Sequence, residues 1–385
     1  MVADLTPPVP GPSPRPPRPP HATVPEGVAS LADYERLAPA HLSPDVWQHI
    51  QEGSGAGLTL ARNRAVFDRW GFLPRAMADL RGGHTGVTLL DREHAAPLML
   101  APLAYQRLAH PEGEIATAYA AAAMGTGMIL STLASIRLEQ VAQAAQDAAR
   151  QLGKAAPPLW FQLYLQPERD HSLALVRRAE DAGFEAIVLT VDAAIKLAGI
   201  TLPQGIEAVN LAGMPRPRQT AVPGGRILLG TALTDAAPRW EDLTWLRRAT
   251  RLPILVKGMV LGEDAARAVN EGADGLIVSN HGGRVLDGLP AAPELIGAVS
   301  EATGGRVPLL LDGGVRSGRD LAKAVALGAR AVLIGRPVLH ALAVAGVAGV
   351  AHAIHLLRAE LEATMAQLGC PTLTALGPER LDPLS

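Results

Sequence analysis

PILVKGMVLGEDAARAVNEGADGLIVSNHGG (253–283) places two short apolar runs on either side of a helical pattern. PILVKG (253–258) and GLIVSNH (275–281) are rich in Ile, Leu and Val and too continuously apolar to leave a face in water, as parallel strands covered by helices are. GEDAARAVNEGA between them has acidic residues in its first turn, alanines at helical spacing and a glycine at its end. Strand, crossing helix and strand make the βαβ unit of a parallel sheet. Both strands run out into polar groups: Lys257 at the first, and Ser279, His281 and Arg284 at the second.

The same unit recurs outward in both directions. Further strands are expected at PLMLAPLA (97–104), GMILST (127–132), PLWFQLY (158–164), AIVLTVD (186–192), PLLLDGG (308–314) and AVLIGR (331–336), with Ala-rich amphipathic segments between. Eight such units fit an α/β fold of the (β/α)8 TIM barrel type. A doubly wound open sheet has the same alternation, and strand count alone does not close a barrel; against it, no GxGxxG opens the first unit. Residues 28–96 read as a short N-terminal helical extension ending in a hairpin, HTGVTLLDREHAAPL, so 28–385 is expected to be one domain.

Two segments are out of scale. Residues 193–239 form a long Gly- and Pro-rich loop after strand four, on the face where barrel active sites are built. Residues 1–27 contain PPVPGPSPRPPRPP, expected to be a disordered, polyproline-like tail. The apolar stretch 338–357 approaches the length of a membrane span, but its histidines, glycines and charged continuation read as a buried helix instead.

A net charge of −2 gives no electrostatic reason for a nucleic-acid or anionic-membrane partner. Cys370 is the single cysteine, which excludes an intrachain disulfide framework and a cysteine metal cluster, and a reducing cytoplasm is the expected setting. No metal site is expected.

The strand ends carry the chemistry: Ser131; Gln162 and Tyr164; Thr190 and Asp192; Lys257; Ser279, His281 and Arg284; Asp312 and Arg316; Arg336. Any one of them could cap a helix or sit in solvent. A polar group at nearly every strand end on one rim is the signal of an active site. LDGGVRSGRD (311–320) and LIGRPV (333–338) end the last two strands with glycine turns, an arginine and a following helix, the parts of an anion pocket. Lys257 could set positive charge beside an electron-rich ring, so a phosphorylated aromatic cofactor is indicated.

VKGMVLGEDAARAVNEGADGLIVSNHGGRVLDG and LLLDGGVRSGRDLAKAVALGARAVLIGRP, with APLAYQRLAHPEGE, FQLYL, LTVD and LTLARNRAVFDRWGFLPR, resemble the FMN-dependent α-hydroxy acid oxidases and dehydrogenases over roughly residues 30–380. APLAYQRLAHPEGE leans to the hydroxymandelate oxidase branch. The resemblance implies FMN, oxidation of a 2-hydroxy acid or a derivative to the 2-oxo product, O2 as electron acceptor with release of H2O2, and a homotetramer. It implies that Pro102, Leu103 and Ala104 border the flavin and that Ser131, Gln162, Thr190 and Ser279 contact it. Lys257 would stabilise negative charge on the ring, and Asp312, Gly313, Gly314, Arg316, Gly335 and Arg336 would take the phosphate. His281 would be the base, oriented by Asp192, with Arg284 on the substrate carboxylate beside Tyr164.

Two positions depart from the family pattern. A second carboxylate-binding arginine falls by gapless count at Gly199 in TVDAAIKLAGI, where Lys196 is the nearby cation, and an N-terminal tyrosine falls at His49. A lysine does not reproduce the bidentate fork of an arginine. The departures leave three readings: Lys196 or His49 joins Arg284 and Tyr164 in binding substrate; the substrate is bulkier, or an ester, amide or peptide-like hydroxyl compound; or the chain is a flavin-binding protein with impaired catalysis. An IMP dehydrogenase would need a loop cysteine, and Cys370 lies past the last strand; a type 2 isopentenyl diphosphate isomerase leaves His281 and Arg284 unexplained.

Overall fold

The computed structural model describes residues 16–193, 200–215 and 228–384, so Lys196 and Gly199 lie outside the described residues. The eight expected strands form: β1 Leu98–Leu100, β2 Gly127–Ser131, β3 Leu159–Leu163, β4 Ala186–Thr190, β5 Ile254–Met259, β6 Gly275–Ser279, β7 Leu309–Asp312 and β8 Ala331–Ile334. They close in chain order, each parallel to the next, and β8 returns to β1 through Val332–Leu98, Leu333–Met99 and Ile334–Leu100. Closure rules out the open sheet and pairs both edges of every barrel strand.

The two faces of the strands pack differently. Met99, Ile129, Trp160, Val188, Leu255, Ile277, Leu310 and Leu333 fill the barrel interior, while Leu98, Leu130, Phe161, Ile187, Leu276 and Leu311 belong to the layer beneath the helices. That is the period-2 alternation of a strand buried on both sides. The expected hairpin forms from Val87–Leu89 and Arg92–His94, and Val87 and Leu89 join the interior cluster. It closes the barrel at the strands' N-terminal end, leaving the opposite rim for chemistry.

Among the described residues, α-helices at Leu31–Leu37, Pro44–Gln51 and Leu58–Ala65 precede the barrel, and Trp70–Phe72 pairs antiparallel with Leu381–Pro383, tying this N-terminal extension to the C-terminal segment. The Pro-rich segment departs from the expected solvated tail over the part that is described. Arg18 N donates to Ala40 O at 2.8 Å and His21 N to Val344 O at 2.8 Å, so this stretch is held by its backbone. Arg336–Leu368 is the one described helix long and apolar enough to cross a membrane, and 72% of its most apolar window is buried in the protein. It packs on Gly113–Met124, Gly318–Ala326 and Leu31–Leu37, as a core helix does. Its backbone breaks at Ala345 and Gly346, where a Cβ on Gly346 would lie 2.9 Å from His110 Nε2.

Candidate active site

Register alone brings the expected residues to one rim. Parallel pairing sets Ser131 beside Gln162, Thr190 beside Lys257, and Ser279 beside Asp312. Ser131, Gln162, Thr190, Lys257 and Asp312 border a cavity of about 460 Å3 lined also by Pro102, Leu103, Ala104, Tyr164, His281, Arg284, Gly313, Gly314, Arg316, Gly335, Arg336 and His49. Two expected residues, Ser279 and Asp192, do not line it.

Ser279 stands behind the lining of the cavity. Its buried hydroxyl receives Lys257 Nζ at 2.9 Å, lies 2.8 Å from Asp312 Oδ2, and accepts the His281 backbone N–H at 3.0 Å. It braces the lysine, the aspartate and the histidine loop.

Asp192 works through His281. Its Oδ1 lies 2.8 Å from His281 Nδ1. Burial pushes the Asp192 carboxyl upward, but the charge of Lys257 and the His281 hydrogen bond outweigh it and hold the group below its ordinary value. An ionised carboxylate only accepts, so the proton of this bond sits on His281 Nδ1 and Nε2 is the unprotonated ring nitrogen. Nε2 is 3.4 Å from Tyr164 Oη. Burial, and after it Asp192, raises the Tyr164 phenol above its ordinary value, so the phenol keeps its proton and can donate. Close approach of Asp192 depends on a bulge between Lys257 and Met259: Gly258 has φ +107°, and a Cβ there would lie 2.5 Å from Asp192 Cβ.

Lys257 is fully buried, which disfavours its charge. Asp312, at 2.8 Å, and then Asp192 more than offset this and hold the ammonium above its ordinary value. The lysine is therefore charged, inside the barrel mouth, between two carboxylates.

The His-Gly-Gly turn is a left-handed one. His281, Gly282 and Gly283 have φ of +58°, +65° and +74°. Glycine carries this at no steric cost, and histidine is among the side chains that tolerate it. At Gly283 a Cβ would also lie 2.8 Å from Leu60 N of the helix Leu58–Ala65. The turn is anchored beneath by a buried reciprocal amide pair: Asn63 Nδ2 donates to Asn280 Oδ1 at 2.9 Å, and Asn280 Nδ2 returns to Asn63 Oδ1 at 2.8 Å.

Arg284 and Arg336 converge on the C-terminus of helix Pro44–Gln51. Arg284 Nη1 donates to His49 O at 2.8 Å and to Ile50 O and Glu52 O at 3.3 Å; Arg336 donates to Ile50 O, Gly282 O and Glu52 O at 2.9, 3.1 and 3.1 Å. Carbonyls at the negative end of a helix suit guanidinium groups. Burial lowers Arg336 to about 10, and the neighbouring charges of Arg284 and Arg316 add to the shift. Arg316, also lowered by burial, has Glu35 3.7 Å away. His340, beneath the arginines, is driven down to about 3 by burial and their charge.

These residues fit a phosphorylated flavin. Gln162 Nε2 and Thr190 Oγ1 border the cavity, are buried, and have no hydrogen-bond partner among the described residues. Beside them stand a charged lysine and, at the far end, arginines with the Gly313–Gly314 turn, where φ is +133° and +81°. The remaining wall is apolar: Leu108, Ala109, Leu133, Ile200 and Leu202. Tyr105 also lines the cavity with φ +51°, a residue missed although it directly follows the PLA segment. Ile200 and Leu202 show that the long loop after β4 contributes to the site.

The profile of the FMN-dependent dehydrogenase family matches residues 38–383. The chain is 48% identical over 371 residues to an L-lactate oxidase of Alicycliphilus denitrificans, covering 94% of this chain and 99% of the relative. It is 42% identical to a 4-hydroxymandelate oxidase of Amycolatopsis orientalis, over 90% and 96% of the two chains. A solved mandelate oxidase with (S)-2-phenylpropionate superposes with a TM-score of 0.80 at 40% identity, covering 92% of this chain and 98% of the other. Barrel, anion-seeking loops and sequence likeness across nearly the whole length agree: the chain belongs to the FMN-dependent dehydrogenase family.

Proposed function

We propose that this protein oxidises a 2-hydroxy acid with an apolar side chain to the 2-oxo acid, and that dioxygen receives the electrons as hydrogen peroxide. FMN dependence and 2-hydroxy acid oxidation come with the family. The observation that carries the reading for this chain is the Asp192–His281 pair beside Tyr164 and Arg284, in a cavity whose other end suits a phosphate.

Bound FMN supplies the two-electron acceptor. Gly313, Gly314, Arg316, Gly335 and Arg336 would hold its phosphate, with Asp312 at the same turn. Pro102, Leu103 and Ala104 would border the ring, Ser131, Gln162 and Thr190 would hydrogen-bond it, and Lys257 would favour negative charge on it. His281 Nε2 takes the proton that leaves the substrate's carbinol group. Asp192 fixes the imidazole tautomer and balances the imidazolium that forms. Tyr164 Oη keeps its proton and donates a hydrogen bond to a substrate oxygen. Arg284 pairs with the carboxylate, a charge-assisted contact that fixes C2 against the base. Leu108, Ala109, Ile200 and Leu202 exclude water and favour an aliphatic or aromatic side chain. A homotetramer and a cytoplasmic setting accompany the proposal, from the family resemblance and the single buried cysteine.

The test is oxygen uptake by FMN-loaded protein with lactate, mandelate and 4-hydroxymandelate, with peroxide and 2-oxo acid quantified. Equal amounts of both products support the reading. Oxygen uptake without a 2-oxo acid, or no uptake with any 2-hydroxy acid, contradicts it.

A further inference from the structure

Glu52 places a carboxylate against the arginine assigned to the substrate. Its Oε1 is 3.6 Å from Arg284 Nη2 and 3.3 Å from His49 Nδ1, and both of those residues line the cavity. Glu52 itself does not line it, so any effect on substrate passes through Arg284 and His49.

The backbone that carries this carboxylate is held in place. Glu52 caps helix Pro44–Gln51, its N–H donating to Gln48 O at 2.8 Å, and the segment after it is stapled to the loop carrying Arg284. Ser54 N donates to Gly283 O at 2.7 Å and Ser54 Oγ to Val285 O at 3.1 Å. Asp287 accepts from the backbone N–H groups of Ala56, Leu58 and Thr59 at 2.9, 3.2 and 2.8 Å. A surface glutamate on a free chain would swing into water; here the backbone on both sides is fixed relative to the arginine.

Arg284 thus faces three backbone carbonyls and one carboxylate. A substrate carboxylate arriving at this guanidinium meets a charge already shared, and meets Glu52 as a like charge. An uncharged carboxamide or ester can accept from the same N–H groups with no such repulsion. We infer that Glu52, acting as a positioning residue through Arg284, lowers the site's preference for carboxylates and admits 2-hydroxy amides and esters as substrates alongside the acids. The inference rests on the 2-hydroxy acid reading above.

The experiment is anaerobic reduction of the FMN holoenzyme by mandelate and by mandelamide, in the parent, Glu52→Gln and Glu52→Asp. The parent reduces with both compounds. Glu52→Gln keeps the backbone carbonyls and removes the charge, so the half-saturating mandelate concentration falls about fivefold, the worth of one partly exposed charge pair, with the limiting rate and the mandelamide curve little changed. Glu52→Asp retains the parental ratio. A purely structural role would move both substrates together. A mandelate-to-mandelamide ratio unchanged in Glu52→Gln, or a parent reduced by mandelate and not by mandelamide, overturns the inference and leaves the acid oxidase reading standing. A parent reduced by neither compound nor by any 2-hydroxy acid takes down both.

Discussion

Replacing Asp192 by Asn isolates the contribution of the carboxylate behind the base. The 2.8 Å bond to His281 Nδ1 is a hydrogen bond between an ionised acceptor and a ring that becomes cationic during the reaction. Bonds of that kind are worth about 1.5–3 kcal/mol, or about 10- to 150-fold in rate. The amide is nearly isosteric, so packing beside Gly258 survives. It can also donate to Nδ1, which moves the ring proton to Nε2 and removes the base, adding to the loss. The assay is stopped-flow reduction of stoichiometrically bound FMN under anaerobic conditions, reading the limiting rate apart from half-saturation. We expect the limiting rate to fall by at least about tenfold with half-saturation little changed. A limiting rate within about twofold of the parent would refute the assignment of Asp192 as the group that orients and balances His281.

Other perturbations have equally definite outcomes. Lys257→Met leaves the part-buried Asp312 without its cation; a loss of about 3 kcal/mol in stability follows, measured by denaturant unfolding, with weaker FMN retention. Asn63→Ala strands the Asn280 amide beneath the catalytic turn, costing about 1–3 kcal/mol by the same measurement and lowering the flavin reduction rate. His94 and His340 are buried and depressed to about 4 and about 3, so the unfolded chain binds protons before the folded one does. Stability therefore falls as pH drops below about 6.5, by roughly 2 kcal/mol for each histidine at about pH 5, and His94→Leu should flatten that slope in thermal melts at several pH values.

The strands were legible because a buried parallel strand must be apolar on both faces and must break into polar residues where it meets the rim. Closure was less so, since βαβ alternation describes an open sheet as well; the return of β8 to β1 decided it. Most of the site followed from reading what stands at each strand end, as Lys257, Gln162, Thr190 and His281 show. Ser279 was legible only as a hydroxyl on the rim, because sequence does not say which neighbours it meets, here Lys257 and Asp312. Glu52 was invisible for a related reason. Its meaning lies in contact with Arg284, more than two hundred residues away, and nothing local to IQEGSG signals that contact. The break at Ala345–Gly346 was also hidden, because an Ala- and Val-rich run keeps its helical pattern through a glycine until His110 is known to press against it.

The central claim is that His281 takes the substrate proton in a flavin-loaded barrel. Anaerobic mixing of FMN-bound parent and His281→Ala with a saturating 2-hydroxy acid tests it in one measurement, the bleaching of the flavin. The parent should bleach fully, and His281→Ala, with FMN still bound, should bleach at least about a hundredfold more slowly, the low end of what a positioned general base contributes. Bleaching of His281→Ala at the parental rate would contradict the account.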